Sequence, residues 1–266
     1  MNFCTKKSYG AWIGLIMGAV IFTFSFWGIG FSLGEGDKVL QLLLYIPAYI
    51  FLAIYIYLLI GSFSMEYSID KYGVLIHWGV RKILIPWSEI NEVIYVKGRS
   101  NLFSMLGASW PGYMAGLYNA KGLGPVRMYA THYEEGFIYL KTNKGFFGIT
   151  PEDGNMINII AENAAKEITT VDMETMPEEI KGENIREDNL YQILYRINII
   201  FLAAFALYIA IFFPGSGAPN FIILLLVLAV ALFLFSLSNA ARLYQFSSAG
   251  GYMLLTIGIA VTGIFF

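Results

Sequence analysis

Residues 109–153 read SWPGYMAGLYNAKGLGPVRMYATHYEEGFIYLKTNKGFFGITPED. Four strand-like segments alternate here with turn chemistry. Residues 113–119 run into a glycine turn at 121–125, residues 126–133 pair back, and Glu134-Glu135-Gly136 leads into a strand at 137–142. Asn143-Lys144-Gly145 marks a hairpin, because asparagine and glycine accept the positive φ of tight turns. Residues 146–149 form the last short strand. Thr150-Pro151-Glu152-Asp153 is expected to open a helix: threonine caps, proline suits the first position, and acids suit the positive end of the dipole. Ile157, Ile160, Ala161, Ala164 and Ile168 then recur at helical spacing as one apolar stripe.

Working backwards, the period of two persists. Residues 65–69 and 74–78 read as strands joined by the turn Asp70-Lys71-Tyr72-Gly73. Residues 80–87 follow, with Ile83, Ile85 and Trp87 on one face. Pro86 has no donor for a ladder and marks a strand end. Ser88 starts a short turn before a strand at 92–97. Residues 98–111 show no clear period and read as a loop or distorted excursion. The block 64–168 is therefore all-β, roughly seven strands closed by one amphipathic helix.

Outside that block the composition belongs to lipid. The 266-residue chain is 57% hydrophobic and only 14% charged, with a mean hydropathy of +0.62, where soluble domains carry about a quarter charged residues. Lys6 and Lys7 precede an uncharged apolar run at 10–33, and a tight loop joins it to a second at 39–63. Each is long enough to span a bilayer, which takes about 20 residues. Pro47 is expected to kink the second. Gly10, Gly14 and Gly18 recur every fourth residue and leave a groove for close packing of another helix. Three more apolar runs, 190–213, 221–241 and 245–266, close the chain. They follow an acidic linker at 169–189, read as a solvated spacer with Pro177 and Gly182 interrupting any helix. The expectation is an α-helical membrane protein of about five spans, with domain bounds 1–63, 64–168, 169–189 and 190–266. With five spans, sixteen of the 17 lysines and arginines fall on one side and Lys38 on the other. Lys6, Lys7, Arg196 and Arg242 lie close to span ends and place the N-terminus and the β block in the cytoplasm, the C-terminus outside.

Several chemistries are disfavoured. A net charge of -2 offers no cationic surface for nucleic acid. One cysteine, Cys4, makes no internal disulfide, and one cysteine with two histidines leaves no ordinary zinc or haem ligand set. No phosphate-cradling loop, paired-histidine motif or nucleophile elbow occurs. His77 and His132 are isolated on strands. No catalytic, metal-binding or cofactor-binding residue is assigned, and the chain is not expected to be an enzyme. The spans hold no Asp, Glu, Lys or His, Arg196 lies near an end, and Asn198 and Asn239 suit helix contacts; a transporter needs more intramembrane charge.

The segments Pro111-Gly112-Tyr113, Gly116, Val126-Arg127-Met128-Tyr129-Ala130-Thr131, Ile138-Tyr139-Leu140-Lys141-Thr142, Gly145 and Thr150-Pro151-Glu152-Asp153 resemble the bacterial PH-domain family. Ile69-Asp70-Lys71-Tyr72-Gly73-Val74 and Ile85-Pro86-Trp87-Ser88-Glu89-Ile90 resemble its opening strands. The resemblance covers 64–168. It implies two packed antiparallel sheets capped by a C-terminal helix, and a role in assembly or protein binding. Phosphoinositide binding does not carry over: the first hairpin turn has one base beside one acid, and 64–168 holds ten bases and ten acids.

The functional expectation is a non-catalytic, membrane-anchored module that binds a protein, a peptide or a second copy of itself at the cytoplasmic face. Its candidate surface is the segment 98–113 with Arg99, Asn101, Phe103, Trp110 and Tyr113, and Arg127 nearby, because arginine and aromatic residues dominate binding hot spots. The competing reading puts Trp110 and Tyr113 in a core edge and Phe103 in the lipid interface. A different class of function, envelope-stress or antimicrobial-peptide immunity acting through the helices, is motivated by having more helices than one anchor requires.

Overall fold

A computed structural model describes residues 1–33, 38–98, 102–131, 136–173, 175, 188–212, 236, 239–241, 243–244 and 246–264. The chain divides into two compact units. One comprises Met1–Ile21 and Ile50–Lys181, the other Phe22–Tyr49 and Gly182–Phe266.

The first unit holds two sheets. A four-stranded sheet has the order β1 (Asn2–Cys4), β2 (Glu66–Asp70), β3 (Gly73–Trp78), β4 (Arg81–Pro86). The β2–β3 turn forms as expected, with Asp70 Oδ1 accepting the Lys71 N–H at 2.7 Å. A 3-10 turn, Trp87–Glu89, leads into β5 (Ile90–Lys97), and β6 (Leu102–Trp110), β7 (Tyr113–Ala120), β8 (Gly124–Ala130), β9 (Phe137–Thr142), β10 (Gly145–Ile149) and β11 (Ile168–Asp172) follow. These make a seven-stranded sheet ordered β11-β5-β9-β10-β8-β7-β6. The helix α3 (Met156–Ala164) packs on β5 and β11 and buries Met156 together with Ile157, Ile160 and Ala161 of the expected stripe, whereas Ile168, expected on the same stripe, lies in β11.

Alternation gives the larger sheet two apolar faces. Val93, Ile138, Leu140 and Ile149 join Tyr67, Val74, Ile76 and Ile85 of the smaller sheet in one core, which α3 closes with Ile160. Ile94, Val96, Tyr118, Val126, Met128 and Tyr139 point the other way and form a second core.

The all-β, two-sheet PH-like domain is present, with differences from the sequence expectation. The sheets are not both antiparallel: β10 runs parallel to β8, and β11 parallel to β5. Within 98–111, expected as a loop or distorted excursion, Leu102–Trp110 is the nine-residue strand β6; a register shift between Ser104 and Leu106 breaks its alternation and hides its period. The start of the linker is strand, since Ile168–Asp172 pairs with Val93–Lys97. The helix begins at Met156 rather than at Pro151. Thr150 is buried and caps nothing: its Oγ1 accepts the Thr131 N–H, its N–H donates to the Tyr67 hydroxyl, and its carbonyl accepts the Lys6 N–H. Pro151 bridges to Thr5. Thr150-Pro151 is thus a dock for the N-terminal segment.

Two helices among the described residues are long and apolar enough to cross a membrane, Gly10–Phe31 within α1 (Gly10–Ser32) and Gln41–Phe63 within α2 (Lys38–Phe63). Pro47 lies inside α2. In the second unit, Phe26 stacks on Tyr45 and meets Tyr49. There α4 (Asn189–Phe212) and α5 (Ser248–Ile264) pack on each other. Asn198 Nδ2 donates across that contact to the Leu255 carbonyl at 3.0 Å, while its buried Oδ1 has no hydrogen-bond partner among the described residues. Most of the apolar run 221–241, and Arg242, lie outside the described residues.

Candidate functional site

The aromatic residues singled out in the sequence meet at the junction of helix ends and sheets in the first unit. The β6–β7 turn, Pro111-Gly112, brings Trp110 and Tyr113 together with ring centroids 4.4 Å apart. The Trp110 indole N–H donates to the Gly10 carbonyl at 2.7 Å. Trp78 Nε1–H donates to the Tyr113 hydroxyl at 2.7 Å, and that hydroxyl donates to the Leu58 carbonyl at 3.2 Å. The Tyr55 hydroxyl donates to the Gly14 carbonyl at 2.6 Å, with its ring 5.7 Å from that of Trp110. Glycine permits the approach. A Cβ at Gly10 would collide with the Gly112 backbone, one at Gly14 with the Trp110 ring, and one at Gly18 with the Tyr55 ring. Gly10 and Gly14 thus face the β6–β7 turn and the Trp110 ring, and Tyr55 of α2 reaches both Gly14, through its hydroxyl, and Gly18, through its ring.

Trp110 and Tyr113 are therefore 7% and 2% exposed and committed to internal contacts, which corrects their expected place on a partner-binding surface. Burial pushes the Tyr113 phenol strongly upward, with the Trp78 hydrogen bond opposing it. Tyr67 is pushed up to about 12 by burial, its hydrogen bonds with Thr150 pulling the other way.

The remaining candidates lie elsewhere. Arg99 and Asn101 fall outside the described residues. Phe103 is half-buried on β6, and Arg127 is exposed on β8 with its guanidinium 5.3 Å from the Phe147 ring. Strand register places Leu106, Leu117, Arg127 and Phe147 in one row across β6, β7, β8 and β10. Phe103 stands opposite Asn119 and shares that face by alternation. The row passes from the buried Phe147 to Leu106, which is 78% exposed, with Met105 beside it at 55%. Among the described residues β6 has no strand on its outer side. Sequence reading missed Met105 and Leu106, because the bulge conceals which of them faces out.

Charge does not gather at this face. Lys141 pairs with Glu92 and Lys144 with Glu89, across β9–β5 and at the β9–β10 hairpin. Of the paired acids, Glu152 meets Lys7 and Asp153 Oδ1 accepts the Asn155 N–H; Glu134 and Glu135 lie outside the described residues. His77 Nε2 stands 3.5 Å from Ser68 Oγ.

A curated relative, an uncharacterized protein of Clostridium acetobutylicum, is 27% identical over 106 residues, which are 39% of this chain and 36% of the relative. The matched stretch thus spans about a third of that relative's length. No solved structure matches the chain. The bacterial PH domain family matches residues 65–179, beginning just before β2 and ending beyond β11, and that part of the chain is a bacterial PH domain.

Proposed function

We propose that the chain is a non-catalytic, membrane-anchored PH-domain protein whose task is to dock another polypeptide. The observation that carries this reading is β6, a nine-residue strand that ends its sheet among the described residues, with two large apolar side chains, Met105 and Leu106, facing solvent. Exposed apolar edges invite strand addition and are normally blunted with charge or proline; β6 contains neither. An extended segment of a partner adds to such an edge through main-chain hydrogen bonds, with side-chain rows giving selectivity. Phe103, Leu106 and Arg127 supply that row. A second copy of the chain meets the same requirement, because an edge strand can pair antiparallel with itself. The helices hold the module at the cytoplasmic face in a five-span topology, with the linker after β11 leading to the last three spans.

The test is a photo-crosslinking side chain at position 106 of the full chain in intact cells. A discrete protein adduct that disappears in the Met105→Lys background supports the proposal, and an adduct of twice the chain mass identifies the second copy as occupant. Lipid adducts alone, or an adduct unaffected by Met105→Lys, overturn it.

A further inference from the structure

Where α1 begins and α2 ends, the N-terminal segment lines a cavity of about 480 Å³. Lys6, Lys7 and Tyr9 bring polar groups to it, and Trp12, Phe63 and Met65 bring apolar surface. The backbone that carries the lysines is held in place. Lys6 N–H donates to the Thr150 carbonyl, its own carbonyl accepts the Thr131 hydroxyl at 2.7 Å, and Ser8 Oγ donates to the Gly112 carbonyl while accepting the Gly10 N–H. The side chains are exposed. Lys6 has no acidic partner among the described residues, and Lys7 meets only Glu152, at 3.3 Å with 89% of its side chain accessible. Such an exposed pair is worth little and yields readily to a competing anion.

Beside the ammonium groups lies apolar surface that the fold leaves uncovered. Trp12 and Phe63 are 60% and 50% exposed and meet edge to face with centroids 5.5 Å apart. Both belong to the helices long enough to span a bilayer, at the ends nearest the PH domain. Aromatic rings with a polar edge settle at the headgroup level of a membrane. A soluble anion would use the lysines and leave both rings wet. A zwitterionic lipid would cover the rings without a net charge to answer Lys6.

We propose that this cavity is a binding site for one anionic phospholipid of the cytoplasmic leaflet. Its phosphate lies between the Lys6 and Lys7 ammonium groups, its glycerol beside Tyr9 and Trp12, and an acyl chain along Phe63. The site is separate from the β2–β3 turn, where Lys71 is accompanied by Asp70. The proposal rests on the membrane-anchored reading above. It gives the lysine pair a role in fixing the height of the PH domain over the bilayer.

The experiment uses the full chain in nanodiscs of mixed phosphatidylglycerol and phosphatidylcholine, with retained lipids counted by native mass spectrometry. Phosphatidylglycerol should be retained preferentially. The preference should fall about fivefold for each of Lys6→Gln and Lys7→Gln, since a lysine near an anionic surface contributes about 1 kcal/mol. Arg81→Gln with Lys82→Gln should leave it unchanged. An unaltered preference in the Lys6→Gln, Lys7→Gln double variant overturns the site. So does an equal loss in the Arg81, Lys82 variant, which would indicate net charge alone, or displacement of the lipid by inorganic phosphate. Carbonate extraction separates the two readings. A chain stripped from native membranes overturns the anchored reading together with the site, whereas an integral chain with unaltered lipid preference overturns the site alone.

Discussion

The indole N–H of Trp110, at the end of β6, donates to the carbonyl of Gly10, the first residue of α1, across one hundred positions of chain and 2.7 Å of space. This bond ties the PH domain to the start of an apolar helix, and Gly10 and Gly112 give it room. Trp110→Phe should keep the ring packing on Tyr113 and Tyr55 and lose the donor, costing about 1 kcal/mol. Trp110→Ala should cost about 3–5 kcal/mol through the cavity it leaves. Thermal unfolding of the detergent-solubilised chain measures both; equal effects of the two variants would show that the ring contributes nothing beyond its hydrogen bond.

Tyr67 joins β2, β8 and the end of β10 through one buried hydroxyl, which donates to the Tyr129 carbonyl at 2.6 Å and accepts the Thr150 N–H at 3.2 Å. Removing it in Tyr67→Phe strands the Thr150 donor and should cost about 1–3 kcal/mol. Burial raises the phenol's folded-state pKa to about 12 from an ordinary 10.0. The folded state therefore keeps a proton that the unfolded chain releases, so stability is complete below pH 10 and declines as pH rises from 10 towards 12. Denaturation at stepped alkaline pH should show a shallower decline in Tyr67→Phe than in the parent.

Asp188 caps α4, its Oδ1 accepting the Leu190 N–H at 2.8 Å and the Tyr191 N–H at 3.0 Å, and its Oδ2 receives the hydroxyls of Tyr244 and Tyr252. Partial burial pushes this carboxyl up, but the four donors outweigh it and hold the group below its usual value. Its contribution is therefore present above the ordinary carboxylate pKa and lost as pH falls through the depressed one. Asp188→Ala should cost about 0.5–2 kcal/mol from the cap. Asp188→Asn should retain the cap and lose the acid dependence, which unfolding curves carried from neutral pH to below the ordinary carboxylate pKa of 3.8 would reveal.

A Cβ at Gly258 would stand 2.7 Å from Asn198 Oδ1, so Gly258→Ala should displace the amide that donates to Leu255. Interhelical hydrogen bonds of this kind contribute about 0.6 kcal/mol in membrane bundles. The variant should lower the thermal midpoint, and Asn198→Ala in the same chain should abolish the increment. Additive losses in the double variant would show that the two residues do not interact.

The five-span topology proposed above predicts that reporter tags at the two termini fall in opposite compartments. Protease protection or compartment-specific labelling in intact cells checks it, and tags in one compartment would remove a span.

The β block was legible wherever its signals are local. Strand alternation, the Asp70–Gly73 and Asn143–Gly145 turns and the Ile157–Ile160–Ala161 stripe depend on residues a few positions apart, and they agree with the PH-like reading over 64–168. Three strands escaped. In β6 a bulge resets the alternation, and β1 is only three residues long. β11 follows the period into a segment whose acidic composition speaks louder than its ITTVD core.

Sequence alone determined the apolar lengths, the β block and its period, since each is a property of neighbouring residues. It also marked Trp110 and Tyr113 as candidate binding aromatics. Only the tertiary structure decided what they do, because burial depends on partners far along the chain. Gly10 and Leu58 accept from Trp110 and Tyr113, and Trp78 donates to Tyr113, which puts two candidate hot spots in the core and leaves Met105 and Leu106 exposed on β6.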